Sequence, residues 1–199
     1  MWVICIDLES VLFPEIWIKV AEKTKIEKLR LTTREIPDYQ KLMAKRIEIL
    51  KANNIKLKDI QKIIKKIPPL KGAKNFLSWL RKKFQVIILT DSFYEFLTPV
   101  IEKFSFPTVF CNSLKIDKEG FIENCQIKEN LKAKTVKYLK EIGFRVVAIG
   151  DSYNDIKMLE KADVGILFNP SQEVAEKFPQ FPKVKNYSQL KLKLNSLFK

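Results

Sequence analysis

The sequence contains no histidine, three cysteines and five glycines among its 199 residues. Without histidine, Ser-His-Asp and Cys-His catalysis and every zinc site that needs an imidazole ligand are excluded. The cysteines (Cys5, Cys111 and Cys125) are far apart and form neither a CxxC pair nor a disulfide framework. The glycines form neither a GxGxxG fingerprint nor a Walker A loop. Any chemistry must therefore depend on carboxylates, hydroxyls, lysine and arginine, with or without an oxygen-binding cation.

Long apolar runs are absent as well. No run approaches the ~18 residues of a membrane span. The N-terminus lacks the basic region and small-residue cleavage site of a signal peptide. We therefore expect a cytoplasmic protein with no membrane partner. Its length corresponds to one domain, or to one domain with a modest insertion.

Positive charge is in excess, since 37 lysines and arginines against 23 acidic residues give a formal net charge of +14. Basic surfaces can bind nucleic acid by releasing counterions from its phosphates. However, few of the basic residues are arginine, the side chain suited to bidentate recognition, and the lysines are spread along the chain. This pattern favours a solvated lysine-rich surface over a nucleic-acid interface. The charge can still attract a small anionic substrate.

Short apolar runs alternate with helical patterns along most of the chain. Runs typical of buried strands are Trp2–Ile6, Val86–Leu89, Val146–Ile149 and Val164–Leu167. Helical patterns between them are Ala73–Lys83, Phe93–Phe104, Lys132–Ile142 and Asn154–Ala162. This alternation predicts an α/β fold with a doubly wound, mostly parallel, Rossmann-like sheet. The stretch Leu114–Ile127 predicts a β-hairpin with its turn at residues 117–120.

Residues 14–70 interrupt this alternation, because they contain no strand pattern. They predict helices at Glu15–Leu29, Asp38–Asn53 and Leu57–Ile67, followed by a Pro68-Pro69 boundary. We therefore predict a core domain of residues 1–13 and 71–199. Residues 14–70 are expected to form a small helical cap inserted after the first strand.

A polar cluster follows each of the first three apolar runs. The clusters begin at Asp7, Thr90 and Gly150, and the last contains Asp151. Because ligands bind beyond the carboxyl ends of parallel strands, Asp7, Thr90 and Asp151 should meet at one edge of the sheet. Clustered carboxylates repel unless a cation holds them, and oxygen-only ligands favour Mg²⁺. The alternative is that each acid merely caps the following helix.

The order of these motifs resembles the haloacid dehalogenase (HAD) superfamily of phosphotransferases. The run Asp7-Leu8-Glu9-Ser10-Val11 resembles its DxDx[TV] nucleophile loop, and Thr90 resembles its strand-end Ser/Thr. Lys132 resembles the lysine ahead of its last core helix, and residues 150–155 resemble its GDxxND loop. The resemblance implies an HAD core and a mobile cap at residues 14–70.

The resemblance also implies phosphoryl transfer through a covalent intermediate. Asp7 would be the nucleophile. Asp151 and the main-chain carbonyl of Glu9 would join Asp7 in holding Mg²⁺. Asp155 would orient Lys132 or the metal shell. Thr90, the amide nitrogens after it from Asp91 onward, Lys132 and Asn154 would contact the phosphate. Such positioning and electrostatics supply most of the catalysis in phosphoryl transfer.

Glu9 departs from the superfamily pattern, which has aspartate at this position. This second acid would protonate the leaving alcohol and later deprotonate the acceptor. The extra methylene of glutamate moves the carboxyl group by about 1.5 Å. The balance between water and an alcohol as acceptor therefore stays open.

A narrower resemblance is to the bifunctional phosphoserine phosphatase/homoserine phosphotransferase group, which also has glutamate at this position. The similar stretches are Asp7–Trp17, Ile36–Tyr39, Asp91–Phe96, Gly150–Asp155, Gly165–Phe168 and Phe178–Pro182. This likeness implies O-phospho-L-serine as substrate and homoserine as a second acceptor. We also considered an HAD phosphatase for another small phosphomonoester, and a basic nucleic-acid-binding protein with a vestigial site. A homodimer is compatible with the sequence.

The predicted cap helix carries an arginine on its apolar stripe. The apolar stripe follows the i, i+3, i+4, i+7, i+11 pattern of one helix face and consists of Tyr39, Leu42, Met43, Arg46 and Leu50. A buried arginine requires an anionic partner. The family resemblance assigns the substrate carboxylate to Arg46 and the substrate ammonium to Glu15. The alternative is a structural Arg46–Glu15 salt bridge.

Overall fold

The computed structural model describes residues 1–33, 35–36 and 38–197. Its strands are β1 (Trp2–Ile6), β2 (Gln85–Phe93), β3 (Thr108–Ile116), β4 (Ile122–Gln126), β5 (Arg145–Gly150), β6 (Val164–Phe168) and β7 (Lys183–Val184). They form one sheet in the order β4-β3-β2-β1-β5-β6-β7. Neighbouring strands are parallel except β3 and β4, which are antiparallel. The predicted α/β, mostly parallel sheet is confirmed.

Helices occupy most of the remaining described chain. They are α1 (Ile16–Thr24), α2 (Tyr39–Ala52), α3 (Leu57–Lys66), α4 (Ala73–Arg81), α5 (Tyr94–Ile101), α6 (Leu131–Glu141), α7 (Ile156–Lys161), α8 (Gln172–Lys177) and α9 (Tyr187–Leu197). Short 3₁₀ turns cover residues 27–30, 102–104 and 153–155. None of the helices in the described ranges is long and apolar enough to cross a membrane.

The central strands β1 and β5 explain the doubly wound arrangement. Ile4 and Ile6 of β1 belong to one hydrophobic cluster, and Val3 and Cys5 belong to another. Side chains alternate across a strand, so the two clusters lie on opposite faces of the sheet. Helices α6, α7 and α8 contribute to the cluster with Cys5, and the other helices contribute to the cluster with Ile4. This two-sided burial is the reason that β1 and residues Val146–Ile149 of β5 are apolar in sequence.

Several elements differ from the sequence-based bounds. The strand predicted at Val86–Leu89 continues to Phe93, and β3 begins at Thr108, well before the predicted hairpin. The hairpin itself is present, and Gly120 in its turn has a φ of +91°. The two-residue strand β7 was not predicted, because two residues carry no periodicity. The helix predicted over Phe93–Phe104 ends as a 3₁₀ turn, after Pro99 within α5.

Helices α1, α2 and α3 lie within the segment predicted to form the cap. Buried residues of this segment, such as Leu50 and Ile60, share one hydrophobic cluster with Ile4 of β1. The division into a core of residues 1–13 and 71–199 and a cap of residues 14–70 stays a prediction. Pro37, part of the Ile36–Tyr39 resemblance, and the last two residues of the predicted core lie outside the described residues.

Candidate active site

Three neighbouring strands bring polar residues to one edge of the sheet. Asp7 directly follows β1, and its amide donates to the carbonyl of Ile149 in β5 at 2.9 Å. Asp151 directly follows β5, and Thr90 lies near the end of β2. Parallel strands end on the same side, which brings these side chains together.

The end of β2 is a bulge instead of a simple strand end. Leu89 is paired with Phe110 of β3, and Phe93 is paired with Asn112, so β2 uses two more residues than β3 over this span. Thr90 lies in this bulge, and its Oγ1 accepts a hydrogen bond from the amide of Ser92 at 3.2 Å. Bulges redirect side chains beside active sites. Here the bulge places Thr90, Asp91 and Ser92 on the wall of one cavity.

Lys132, in the first turn of α6, is surrounded by carboxylates. Its Nζ lies 2.8 Å from Oδ1 of Asp7, 2.8 Å from Oδ1 of Asp155 and 3.3 Å from Oδ2 of Asp91. Burial of Lys132 lowers the pKa of its amine, but the carboxylates of Asp155, Asp7 and Asp91 outweigh burial and hold that pKa well above its ordinary value. Lys132 is therefore a buried ammonium ion beside Asp7.

Asp155 is fully buried, and both of its carboxylate oxygens accept hydrogen bonds. Oδ1 accepts from Lys132, while Oδ2 accepts from the amides of Asp151 at 3.0 Å and Ser152 at 3.2 Å. Gly150 makes this arrangement possible, because a Cβ at position 150 would lie 2.3 Å from the Cβ of Asp155. Asp155 thus orients both Lys132 and the loop that carries Asp151.

Carboxylate oxygens of Asp7, Asp151 and Asp155 lie within 4.8 Å of one another. Burial and the charge of Asp155 raise the pKa of Asp7 well above its ordinary value, and the same two effects raise the pKa of Asp151 to about 7. The raised pKa values show that these carboxylates disfavour being ionised together without a cation. A cluster of hard oxygen donors of this kind fits Mg²⁺. Because both oxygens of Asp155 already accept hydrogen bonds, Asp7 and Asp151 fit the role of ligands better. The contribution of the Glu9 carbonyl stays a prediction.

Glu9 and Glu15 form a second acidic pair at the cavity. Burial and the neighbouring Glu15 carboxylate, which accepts a hydrogen bond from the protonated Glu9 side chain, raise the pKa of Glu9 well above its ordinary value. Glu15 also accepts a hydrogen bond from Oγ of Ser10 at 2.8 Å. The raised pKa of Glu9 favours its protonated form, which is the form that a general acid requires.

One cavity of about 120 Å³ contains most of the predicted site residues. Those that line it are Asp7, Glu9, Glu15, Arg46, Thr90, Asp91, Lys132, Asp151 and Asn154. Asp155 does not line the cavity and acts from behind Lys132 and Asp151. A cavity of this size can hold a small molecule.

Arg46 of α2 is 5% exposed, and its Nε is a buried nitrogen with no hydrogen-bond partner in the described part of the chain. One terminal nitrogen donates to the carbonyl of Leu31 at 2.7 Å, and the guanidinium lies 4.5 Å from the ring centroid of Trp17. The alternative of a structural Arg46–Glu15 salt bridge is wrong, because none of the ion pairs within 4.0 Å among the described residues joins these two side chains. The partnerless nitrogen favours an anionic ligand at this end of the cavity.

The structure adds residues that the sequence analysis did not assign to the site. Tyr39 and Leu42 line the cavity from α2, and the hydroxyl of Tyr39 donates to the carbonyl of Asp91 at 3.1 Å. Both residues share the inward stripe of Arg46, which was the available signal. Trp17 and Ser152 also line the cavity. Nothing in their local sequence separates them from core or loop residues.

Comparison with known proteins agrees with this geometry. A family model described as "haloacid dehalogenase-like hydrolase" matches residues 5–163. Phosphoserine phosphatase ThrH of Pseudomonas aeruginosa is 48% identical over 96% of this chain and 94% of its own length. A phosphoserine phosphatase of Pseudomonas syringae pv. tomato is 48% identical over 94% of this chain and 79% of its own length.

The fold has the same relatives. A crystal structure of an apo phosphoserine phosphatase matches with a TM-score of 0.72 and 26% identity, over 88% of this chain and 90% of that one. A substrate-bound phosphoserine phosphatase matches with a TM-score of 0.74 over 96% of this chain and 97% of its own, and at 22% identity it supports the fold alone. The strand-end acids, the lysine and the matched family model agree, and the chain belongs to the haloacid dehalogenase-like hydrolase family.

Proposed function

We propose that this chain is a Mg²⁺-dependent phosphoserine phosphatase that acts through an aspartyl phosphate on Asp7. The observation that carries the proposal is the position of the Lys132 ammonium, which lies 2.8 Å from Asp7 and is also paired with Asp91 and Asp155. An ammonium beside a strand-end carboxylate allows an anionic phosphate to approach an anionic nucleophile. The 48% identical relatives named as phosphoserine phosphatases support the choice of substrate.

The first half-reaction forms a phosphorus–oxygen bond to Asp7 and breaks the bond to the seryl oxygen. A carboxylate oxygen of Asp7 attacks the phosphorus atom. Glu9, whose raised pKa favours the protonated form, gives its proton to the leaving seryl oxygen. Lys132, the hydroxyl of Thr90, the bulge amides and Asn154 hold the phosphate oxygens.

The second half-reaction regenerates the site. The ionised Glu9 takes a proton from water, and the resulting hydroxide attacks the phosphorus atom of the aspartyl phosphate. The bond between phosphorus and the Asp7 oxygen breaks, inorganic phosphate leaves, and Glu9 is again protonated. Splitting one displacement into two lets one side chain serve as acid and then as base.

The carboxylates of Asp7 and Asp151 and the main-chain carbonyl of Glu9 are the proposed Mg²⁺ ligands. When bound, the cation supplies positive charge that offsets the repulsion between Asp7 and the phosphate. Through its four hydrogen bonds, Asp155 holds the Asp151 loop and the Lys132 ammonium in place beside Asp7.

Arg46 and Glu15 are proposed to select the amino acid part of the substrate. The Nε of Arg46 has no partner among the described residues and can donate to the substrate carboxylate. Glu15, across the same cavity, can accept from the substrate ammonium. Homoserine carries the same ammonium and carboxylate, so it is the proposed alternative acceptor when an alcohol replaces water in the second half-reaction.

The test is phosphate release from O-phospho-L-serine with Mg²⁺, with and without EDTA. Asp7→Asn should abolish release, whereas Asp117→Asn, in the turn between β3 and β4, should match the parent. Addition of homoserine should produce phosphohomoserine. Release from other phosphomonoesters but not from phosphoserine would overturn the substrate assignment. Full activity of Asp7→Asn would overturn the nucleophile.

A further inference from the structure

Asn112 of β3 is a buried polar residue that lies outside the cavity. Its side chain is 2% exposed, and it is absent from the residues that line the cavity. Its Nδ2 donates to the carbonyl of Asp91 at 2.8 Å, and its Oδ1 accepts from the amide of Lys128 at 2.8 Å. Both ends of the amide are therefore used, which satisfies a polar group that would be costly to bury alone.

The two partners of Asn112 belong to the two segments that meet at the phosphate end of the cavity. Asp91 is the middle residue of the β2 bulge, between Thr90 and Ser92. Lys128 begins the turn into α6, where its carbonyl accepts from the amide of Leu131 at 3.2 Å. The bulge and this turn are thereby joined through one side chain.

The joined segments also contact each other through the site itself. Oδ2 of Asp91 lies 3.3 Å from Nζ of Lys132, so the side chain of Asp91 faces the ammonium while its carbonyl faces Asn112. A bulge leaves ladder hydrogen bonds unmade, and the Asn112 amide supplies one of them. Without this bond, the carbonyl of Asp91 would still accept a hydrogen bond from the hydroxyl of Tyr39 on α2.

We propose that Asn112 is a positioning residue, which sets the spacing between the Thr90–Ser92 bulge and Lys132 and thereby shapes the phosphate site. This inference rests on the proposed function, because the phosphate site is its object. Asn112 touches neither substrate nor the reacting atoms. Its effect is on the geometry of groups that act only when the phosphate is transferred. Loss of that geometry by about 1 Å costs up to about 100-fold in rate.

Two substitutions separate the two ends of the amide. Asn112→Asp keeps an acceptor for Lys128 but replaces the donor to the Asp91 carbonyl with a second oxygen. Asn112→Leu removes both polar ends while it keeps the number of side-chain heavy atoms the same. Val174→Ala, in α8 and in the hydrophobic cluster that contains Cys5, serves as a control that lowers stability without removing a hydrogen bond of the bulge.

The measurements are kcat and KM for O-phospho-L-serine, with hydrogen–deuterium exchange of the amides at residues 90–93 and 128–132. We expect Asn112→Asp to lower kcat by about 10- to 100-fold with KM within about threefold, and to speed exchange in both segments. Val174→Ala should leave kcat and this exchange unchanged. A kcat within twofold of the parent in folded Asn112→Asp would overturn the proposal. The proposal would also be overturned if Val174→Ala lost as much kcat as Asn112→Asp when the two variants have the same melting temperature.

Exchange is measured without substrate, so it tests Asn112 separately from the proposed function. If the parent chain does not hydrolyse phosphoserine, the proposed function fails. The exchange result alone then decides whether Asn112 positions the bulge and the turn into α6. Unchanged protection of residues 90–93 in Asn112→Asp would then overturn the positioning role. If Asn112→Leu does not fold, Asn112→Asp carries the test.

Discussion

Lys132 and Asp155 form a fully buried ion pair in which Nζ lies 2.8 Å from Oδ1. The other oxygen of Asp155 holds the backbone of the loop that carries Asp151. One carboxylate therefore contacts both the ammonium beside Asp7, the proposed nucleophile, and the loop that carries Asp151, a candidate cation ligand. Asp155 makes these contacts without lining the cavity.

Asp155→Asn tests this relationship. The substitution removes a buried charge and leaves the Lys132 ammonium with fewer carboxylates, so we expect the free energy of unfolding to fall by about 3 kcal/mol. We expect phosphate release to fall by at least about 100-fold. The matched control is Asp163→Asn, because the Asp163–Lys140 pair at 3.2 Å is partly exposed and should contribute at most about 1 kcal/mol. Urea unfolding and phosphate release measure both effects, and parent-like activity in Asp155→Asn would contradict this role.

Gly150→Ala should disrupt the same loop by steric conflict. A Cβ at position 150 would lie 2.3 Å from the Cβ of Asp155, so either the backbone at position 150 or the Asp155 side chain, which binds Lys132, must shift. We expect loss of activity and a lower melting temperature. Gly143→Ala separates this clash from backbone strain, because Gly143 has a φ of +92° but no described atom beyond its chain neighbours lies within 4 Å of the position of a Cβ there. Gly143→Ala should cost about 1 kcal/mol of stability and leave kcat unchanged.

Arg46→Met should change substrate choice more than chemistry. If Arg46 binds the substrate carboxylate, kcat/KM for O-phospho-L-serine should fall by about 100-fold, since a buried charge-assisted contact is lost. O-phosphoethanolamine lacks that carboxylate, so its kcat/KM should change by less than about threefold. Arg81→Met is the control, because Arg81 binds the carbonyls of Phe104 and Ser105 away from the cavity. Equal losses for both substrates would show that Arg46 does not read the carboxylate.

The effect of Mg²⁺ on stability should depend on pH. Burial, Asp155 and Glu15 raise the pKa of Asp151 from 3.8 to about 7, so the cation-free folded state keeps a proton that the unfolded state releases. The contribution of Asp151 to stability is therefore fully present below about pH 4 and falls as the pH rises towards 7. Mg²⁺ must displace that proton, so the stabilisation it provides should grow between about pH 5 and about pH 8. Melting temperatures measured with Mg²⁺ and with EDTA at about pH 5 and about pH 8 check this. An increase in melting temperature on adding Mg²⁺ that is the same at the two pH values would contradict it.

The strand-end chemistry was readable from the sequence because it is local. A buried parallel strand has a fully apolar pattern, and the residue after it must lie at the carboxyl edge, so Asp7 and Asp151 could be placed at that edge. The bulge at Thr90 could not be predicted, because it depends on how Leu89 and Phe93 pair with Phe110 and Asn112. The first half of β3 was missed for a related reason: its partly exposed residues have no strong periodicity.

The α/β architecture, the order of the motifs, the oxygen-only chemistry and the inward stripe that carries Arg46 all follow from the amino-acid sequence alone. Periodicity and residue type encode these features within a few residues of chain. The pairing of charges required the folded chain, since Lys132 and Asp7 are 125 residues apart in the chain yet 2.8 Å apart in space. The same is true of the raised pKa of Glu9 beside Glu15 and of the link that Asn112 makes between the bulge and the turn into α6. Burial and distance govern pKa values and hydrogen bonds, and both quantities exist only once the chain is folded.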